Sequence, residues 1–290
     1  MTEAIRATVE VEDIGRPRLP VGAALRLIAL LALAAIVLLP LVMTVLDGFK
    51  TLGELHDNPI GLPRVWLFSN YWEVLSSARY WQVLANSLII ALATVALTLA
   101  TASMAAFVFA HIKFFGDRYL FAYVQLGLLF PTTAAILPVF IKVRNLGLLD
   151  TYWGVILPQV AFSLSMAVLL LRNAFRQLPV ELFDAALIDG CGYFRFFRYV
   201  TLPLSGPILS TVAVIAFVSS WNGYLLPLVV LDSERRYPWT LGLMDYQGQY
   251  STSWQLVLAF IMLTILPAIL MFLLAQRYIV AGLTAGAVKG

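Results

Sequence analysis

Few residues in this sequence are equipped for chemistry. Cys191 is the single cysteine, and the two histidines, His56 and His111, stand 55 positions apart. One cysteine excludes an internal disulfide and any multi-cysteine metal site. Two distant histidines, both expected in loops, supply neither a metal cage nor a histidine-based triad; structural or solvated roles are expected for them. No G-x-x-x-x-G-K-[ST] phosphate loop occurs, so the chain brings no nucleotide site of that kind. Catalytic residues, metals and cofactors are therefore not expected. The one stretch where charged, small and apolar residues fall in a regular order is LRNAFRQLPVELFDAALIDGCGYFRFFRYVTLPLSGP, from Leu171 to Pro207. Pro179 suits the first turn of a helix, where its missing N–H would be unpaired anyway. Glu181 and Asp184 sit in the first two turns, at the positive end of the helix dipole. Gly190 stands where a helix stops by entering the left-handed region. Between them Val180, Phe183 and Leu187 recur at helical spacing as an apolar stripe, while Ala185 and Ala186 keep the helix thin. A second short helix over Tyr193–Tyr199 is aromatic and basic, through Arg195 and Arg198, and Leu202-Pro203 ends it. A surface helix with such a stripe docks on lipid or on protein, and spacing alone leaves both open.

The elements that must carry this loop follow from hydropathy. The chain is 61% hydrophobic and only 12% charged over 290 residues, too apolar for one water-soluble domain and natural for a surface facing lipid. No basic run suggests nucleic acid. A helix needs about 20 apolar residues to cross the hydrocarbon core, and charge-free runs of that length predict about six crossings: Leu27–Leu46, Leu84–Ala110, Tyr119–Ile141, Thr151–Leu171, Pro207–Leu231 and Gln255–Gln276. The third and fourth carry prolines that can break a helix. The expected fold is all-α and polytopic: an N-terminal segment 1–26, a first span 27–46, a loop 47–83, a five-helix unit 84–276 containing the loop 172–206, and a tail 277–290. The 19 Lys and Arg divide twelve to seven between alternate sides, which places both termini and the loop 172–206 in the cytoplasm. The first span lacks a convincing cleavage site and is expected as a retained anchor. Trp66, Tyr71, Trp72, Tyr80 and Trp81 in the first external loop read as an interfacial aromatic belt or as a ligand platform.

None of the six cores contains Asp, Glu, Lys, Arg or His. Proton- or charge-coupled transporters need such groups at membrane depth, although backbone carbonyls alone can hold sodium. A transporter of this kind draws its energy through a cytoplasmic surface. A secondary transporter or channel acting alone would work without ATP hydrolysis. A membrane-embedded enzyme would require paired carboxylates or a nucleophile–base pair that the spans lack.

The acidic-Ala-Ala stretch Asp184-Ala185-Ala186-Leu187-Ile188-Asp189-Gly190, followed by Leu202-Pro203, closely resembles the "EAA" loop of ABC-importer permeases, and it stands before the penultimate span as it does there. Asp184 replaces the usual Glu and keeps its charge. Gly147-Leu148-Leu149-Asp150-Thr151-Tyr152-Trp153-Gly154 is similar to the segment leading into the fourth span of carbohydrate-type permeases. The ending Gln276-Arg277-Tyr278 with Gly282–Gly290 resembles the second permease of the maltose-transport branch, with Ala281 where many relatives have a basic residue. The resemblance runs from about Asn70 to Gly290. It implies a type I importer architecture in the inner membrane and half of a pore for a sugar or oligosaccharide. It further implies a second, different permease, two cytoplasmic ATPase subunits and an extracytoplasmic sugar-binding protein as partners. It casts Glu181, Phe183, Asp184, Ala185, Ala186, Asp189, Gly190, Leu202 and Pro203 as the ATPase-coupling residues. Sugars are held by amides, hydroxyls and aromatic rings, which makes Asn86, Gln159, Trp221, Asn222 and Tyr224 candidates for the substrate pathway, with Ser87 and Ser163 beside them. The competing use of these groups is interhelical hydrogen bonding. The three from Trp221 to Tyr224 fall together before the helix-disturbing Pro227.

Overall fold

The computed structural model describes residues 21–248 and 251–287; the expected N-terminal segment lies almost wholly outside them. The described chain is helical, with one isolated antiparallel bridge between Gln247 and Thr252. Helix α1 (Val21–Asp47) leads into two short helices, α2 (Leu52–Asp57) and α3 (Phe68–Ser76). The long α4 (Ala78–His111) is followed by α5 (Asp117–Leu126), α6 (Ile136–Asn145) and α7 (Tyr152–Phe175). The loop before the next long helix holds α8 (Val180–Ile188), α9 (Tyr193–Phe196), a π-helical turn Phe197–Thr201 and α10 (Leu202–Leu204). Then come α11 (Gly206–Trp221), α12 (Leu225–Val230), α13 (Trp239–Gly242) and α14 (Trp254–Ala287).

Helix α4 is the axis of the bundle, packed along α7 on one side and α11 on another, with α14 against α11. Its buried face includes a stripe of small residues, Ala91, Thr94, Thr98, Ala102 and Ala106, which lets neighbouring backbones approach closely in the absence of a hydrophobic drive between helices. Helix α1 packs mainly on α14 and exposes Leu25, Ile28, Leu31 and Ile36 by 60% or more, the surface of a helix solvated by lipid.

Among the described residues four helices, α1, α4, α7 and α14, are long and apolar enough to span a membrane. The segment Tyr193–Leu204 with α11, bent by 79°, would make a fifth. Two of the expected continuous spans are broken. In place of one helix over Tyr119–Ile141 stand α5 and α6, ten residues each, about 15 Å apiece and too short to cross alone. Pro131 is the cause: it drives Phe130 into the extended region, at φ −90° and ψ 113°, and the helix ends there. The fifth expected span, Pro207–Leu231, is interrupted between Trp221 and Leu225. Pro227 has no N–H for the carbonyl of Gly223 four residues back, and the Thr240 hydroxyl donates to that carbonyl instead, at 2.8 Å. Pro158, by contrast, leaves α7 continuous. The last helix runs on to Ala287, so most of the stretch expected as a tail continues the helix. His111, expected in a loop, is the last residue of α4.

The loop 47–83 is an ordered cap. Lys50, fully buried, pairs with Asp47 at 2.6 Å and donates to the Asn58 carbonyl, while the Asn70 amide donates to the carbonyls of Gly48 and Lys50. The expected aromatic cluster divides. Tyr71 packs on Phe49 at 4.5 Å and donates to the Val45 carbonyl; burial first, and Asp47 second, push its phenol up to about 12. Tyr80 is buried edge-on against Phe260. Trp66, Trp72 and Trp81 stay exposed.

Candidate functional site

Two places bring the polar residues together. The first is a partly open cavity of about 360 Å³ lined by α4, α7, α11, the start of α12 and the turn after Pro131. Its polar lining is Thr94 and Thr98 from α4, Gln159 and Ser163 from α7, Ser219 and Ser220 from α11, Thr132 and Thr133 from the turn, and Tyr224. Among the described residues no Asp, Glu, Lys, Arg or His lines it. Gln159 is the hub: its Oε1 accepts from the hydroxyls of Thr94 at 3.0 Å and Ser220 at 2.6 Å, tying α4, α7 and α11 at one point. Gly223 leaves room for this amide, since a Cβ there would lie 3.1 Å from Gln159 Nε2. Tyr224 forms a wall of this cavity and also of a neighbouring one of about 350 Å³ lined by Thr240, Leu243, Met244 and Gln247.

Of the five expected pathway residues the cavity collects Gln159 and Tyr224. Asn86 is buried elsewhere: its Nδ2 donates to the carbonyls of Arg235 and Tyr237, and its Oδ1 accepts from the Tyr152 hydroxyl at 2.7 Å. Beside it Ser87 accepts from the Trp239 N–H. Both residues hold the 235–239 segment to α4. Trp221 is buried and stacked on Phe217 at 5.4 Å, with its carbonyl accepting from the Trp239 indole. Asn222 points back to the Val218 carbonyl, four residues earlier. The lining residues that sequence reasoning passed over are Thr94, Thr98, Thr132, Thr133, Ser219 and Ser220. Their signal was the four-residue spacing of Thr94 and Thr98 on one face of α4 and the paired hydroxyls beside two helix breaks.

The second place is α8 and its surroundings at the far end of α4. Gly190 has φ +72°, and the N–H of Cys191 reaches the Ala186 carbonyl at 2.8 Å, the six-to-one bond of a left-handed helix stop. Glu181, Asp184, Ala185 and Asp189 are exposed, as are Val180, Leu182 and Ile188, the last by 87%. Phe183 turns the other way. Its ring stacks on His111 at 5.8 Å with planes 10° apart and meets Phe196 edge-on at 4.9 Å, next to Phe107 and Phe197. The stripe read as Val180, Phe183 and Leu187 is therefore not one outward face; the side chain of Leu187 lies outside the described residues. Leu202 packs on the same cluster, and the exposed Pro203 lies at the bend into α11. His111 Nε2 is buried with no hydrogen-bond partner among the described residues.

The segment before α7 shows why its residues belong together. Gly147, at φ +69°, closes α6. Thr151 caps α7 by accepting from the Gly154 N–H, and a Cβ on Gly154 would overlap the Leu148 carbonyl oxygen. Asp150 accepts from the N–H groups of Asp232 and Ser233 and pairs with Arg236.

The family described as "Binding-protein-dependent transport system inner membrane component" matches residues 98–280. The chain belongs to this family. The permease is thus a multi-pass inner-membrane transport component and not an enzyme. It is 33% identical over 255 residues to the diacetylchitobiose uptake system permease protein NgcG of Streptomyces coelicolor, covering 87% of this chain and 84% of that one. It is 35% identical over 262 residues to the arabinooligosaccharides transport system permease protein AraQ of Halalkalibacterium halodurans, covering 89% and 93%. The trehalose transport system permease protein SugB of Mycobacterium tuberculosis is 32% identical, covering 87% and 93%. Its fold matches a chain in the crystal structure of a bacterial ABC transporter involved in importing the acidic polysaccharide alginate, with TM-score 0.77, 24% identity and coverage of 89% and 96%. That match makes the fold an ABC-importer permease fold.

Proposed function

We propose that this permease is one half of the pore of an ATP-driven importer of a sugar or oligosaccharide, handed over by an extracytoplasmic binding protein. It pairs with a second, different permease and two cytoplasmic ATPase subunits. Both termini and the loop 172–206 face the cytoplasm, in keeping with the twelve-to-seven division of Lys and Arg. The observation that carries the reading is a charge-free cavity of hydroxyls and one amide, one wall of which, α4, ends on the exposed α8. Groups of this kind bind neutral polar molecules, and an exposed helix with its own start and stop can be pushed as a unit. Glu181, Asp184 and Asp189 offer a partner negative charge that sets register, and Phe183 passes the displacement to His111 on α4 and Phe196 on α9. The sugars named for NgcG, AraQ and SugB support the substrate class.

Reconstitution tests this. The chain with a second permease, ATPase subunits and a binding protein should accumulate a labelled oligosaccharide in liposomes only when ATP is supplied, and the chain alone should accumulate none. Uptake without any ATPase, abolished by an ionophore, would make it a secondary transporter instead.

A further inference from the structure

We infer that this subunit carries its own subsite for one uncharged sugar unit, in the cavity around Gln159, and that the site discriminates against acidic sugars. The inference rests on the sugar-importer reading and specifies which half holds the sugar and which sugars it rejects. Both lone-pair directions of Gln159 Oε1 are taken by Thr94 and Ser220, so the amide cannot rotate freely and its Nε2 is committed as a donor. That Nε2 makes no hydrogen bond among the described residues. Thr132 and Thr133, both exposed, line the same cavity, and their hydroxyls make no hydrogen bond among the described residues. The Thr98 hydroxyl, on a fully buried residue of the same wall, also lacks one. Buried polar groups are rarely left unpaired. A site of rotatable hydroxyls, each able to donate or accept, around one fixed donor fits a ligand whose hydroxyls do both, which is the chemistry of a neutral pyranose. The volume lies within the range of small-molecule sites, about 300–1,000 Å³. A carboxylate or sulfonate entering here would lose its water and meet no cation on this wall, a strongly unfavourable exchange. Tyr224, partly exposed between the two cavities, offers aromatic surface where the sugar would arrive.

A matched pair of probes separates charge from shape: methyl α-glucoside and methyl α-glucuronide, which differ at one carbon. Saturation-transfer NMR on the assembled transporter, without binding protein, should show transfer to the glucoside and several-fold less to the glucuronide. Gln159→Leu should cut the glucoside signal about tenfold, the loss of one buried hydrogen bond. Thr132→Val combined with Thr133→Val should cut it about threefold. Those two hydroxyls bond nothing within the described chain, so the double variant tests contact with sugar even if Gln159→Leu disturbs packing; co-purification with the ATPase subunits checks assembly. Equal transfer to both probes, or an unchanged glucoside signal in the double threonine variant, would overturn the subsite while ATP-dependent oligosaccharide uptake continued. An assembled complex that took up no sugar at all would overturn the importer reading and this inference with it.

Discussion

The two ends of α4 are held by different physics. At its first residues, hydrogen bonds and ion pairs fasten it to the loops. Arg79 pairs with Asp245 at 2.8 Å and donates to the Glu234 carbonyl. Asn86 and Ser87 take the backbone of Arg235, Tyr237 and Trp239. Nearby, Asp150 gathers Arg236 and two N–H groups. At its last residues the contacts are mainly rings, Phe107, His111, Phe183 and Phe196, with centroids 4.9 to 6.3 Å apart, beside one hydrogen bond from Arg172 to the Phe109 carbonyl. Hydrogen bonds to charged groups are strong and directional, and they weaken steeply as the donor angle closes. Apolar ring contacts accept several offsets at similar energy. One end is thus built to keep its geometry and the other to be displaced and still hold together.

This contrast would break first at Asp150. Asp150→Ala leaves two N–H groups and a guanidinium without their acceptor. The pair is partly exposed, so the loss is expected at about 2 kcal/mol, below the sum of its bonds. It should appear as a lower melting temperature of the purified complex. A melting temperature within a degree of the parent would show that the loop end is not held there.

Gly190→Val acts at the other end and less on stability. A β-branched residue at φ +72° costs roughly 1–2 kcal/mol, confined to the stop of a surface helix with open space around it. Transport and sugar-stimulated ATP hydrolysis should fall while membrane levels stay near normal. Wild-type transport by Gly190→Val, and also by a variant with Asp184 and Ile188 both changed to Ala, would remove α8 from the coupling path.

The smallest effect is expected at His111→Phe. Its Nε2 is buried and has no partner among the described residues, so a ring of similar shape without that nitrogen should be neutral or stabilising by less than about 1 kcal/mol, with transport kept. Loss of transport with an intact fold would mean that the imidazole nitrogen finds a partner during the cycle, and that this end is more than a set of sliding rings.

Much of this was legible in the residues alone. Hydropathy and the lack of charge determine that the chain lies in a membrane, because lipid offers no solvation to either charge or open backbone. Pro179, Gly190 and the acidic first turn determine where α8 starts and stops, because capping is local. What the tertiary structure decided is which way each side chain faces. Helical spacing put Phe183 on a stripe with Val180, but α9 and the end of α4 supply an apolar pocket on one side of that stripe, and the larger ring went into it. Asn86 and Gln159 look alike in sequence, an amide in a charge-free span. One met two loop carbonyls and the Tyr152 hydroxyl at the start of α7, which occupy its amide, and the other met two hydroxyls that leave its N–H free beside a cavity. The hydroxyls of Thr94 and Ser220 are 126 positions apart and act on one oxygen only because α7 and α11 both pack on α4. Such pairings depend on distance in space, and a linear pattern carries no record of it.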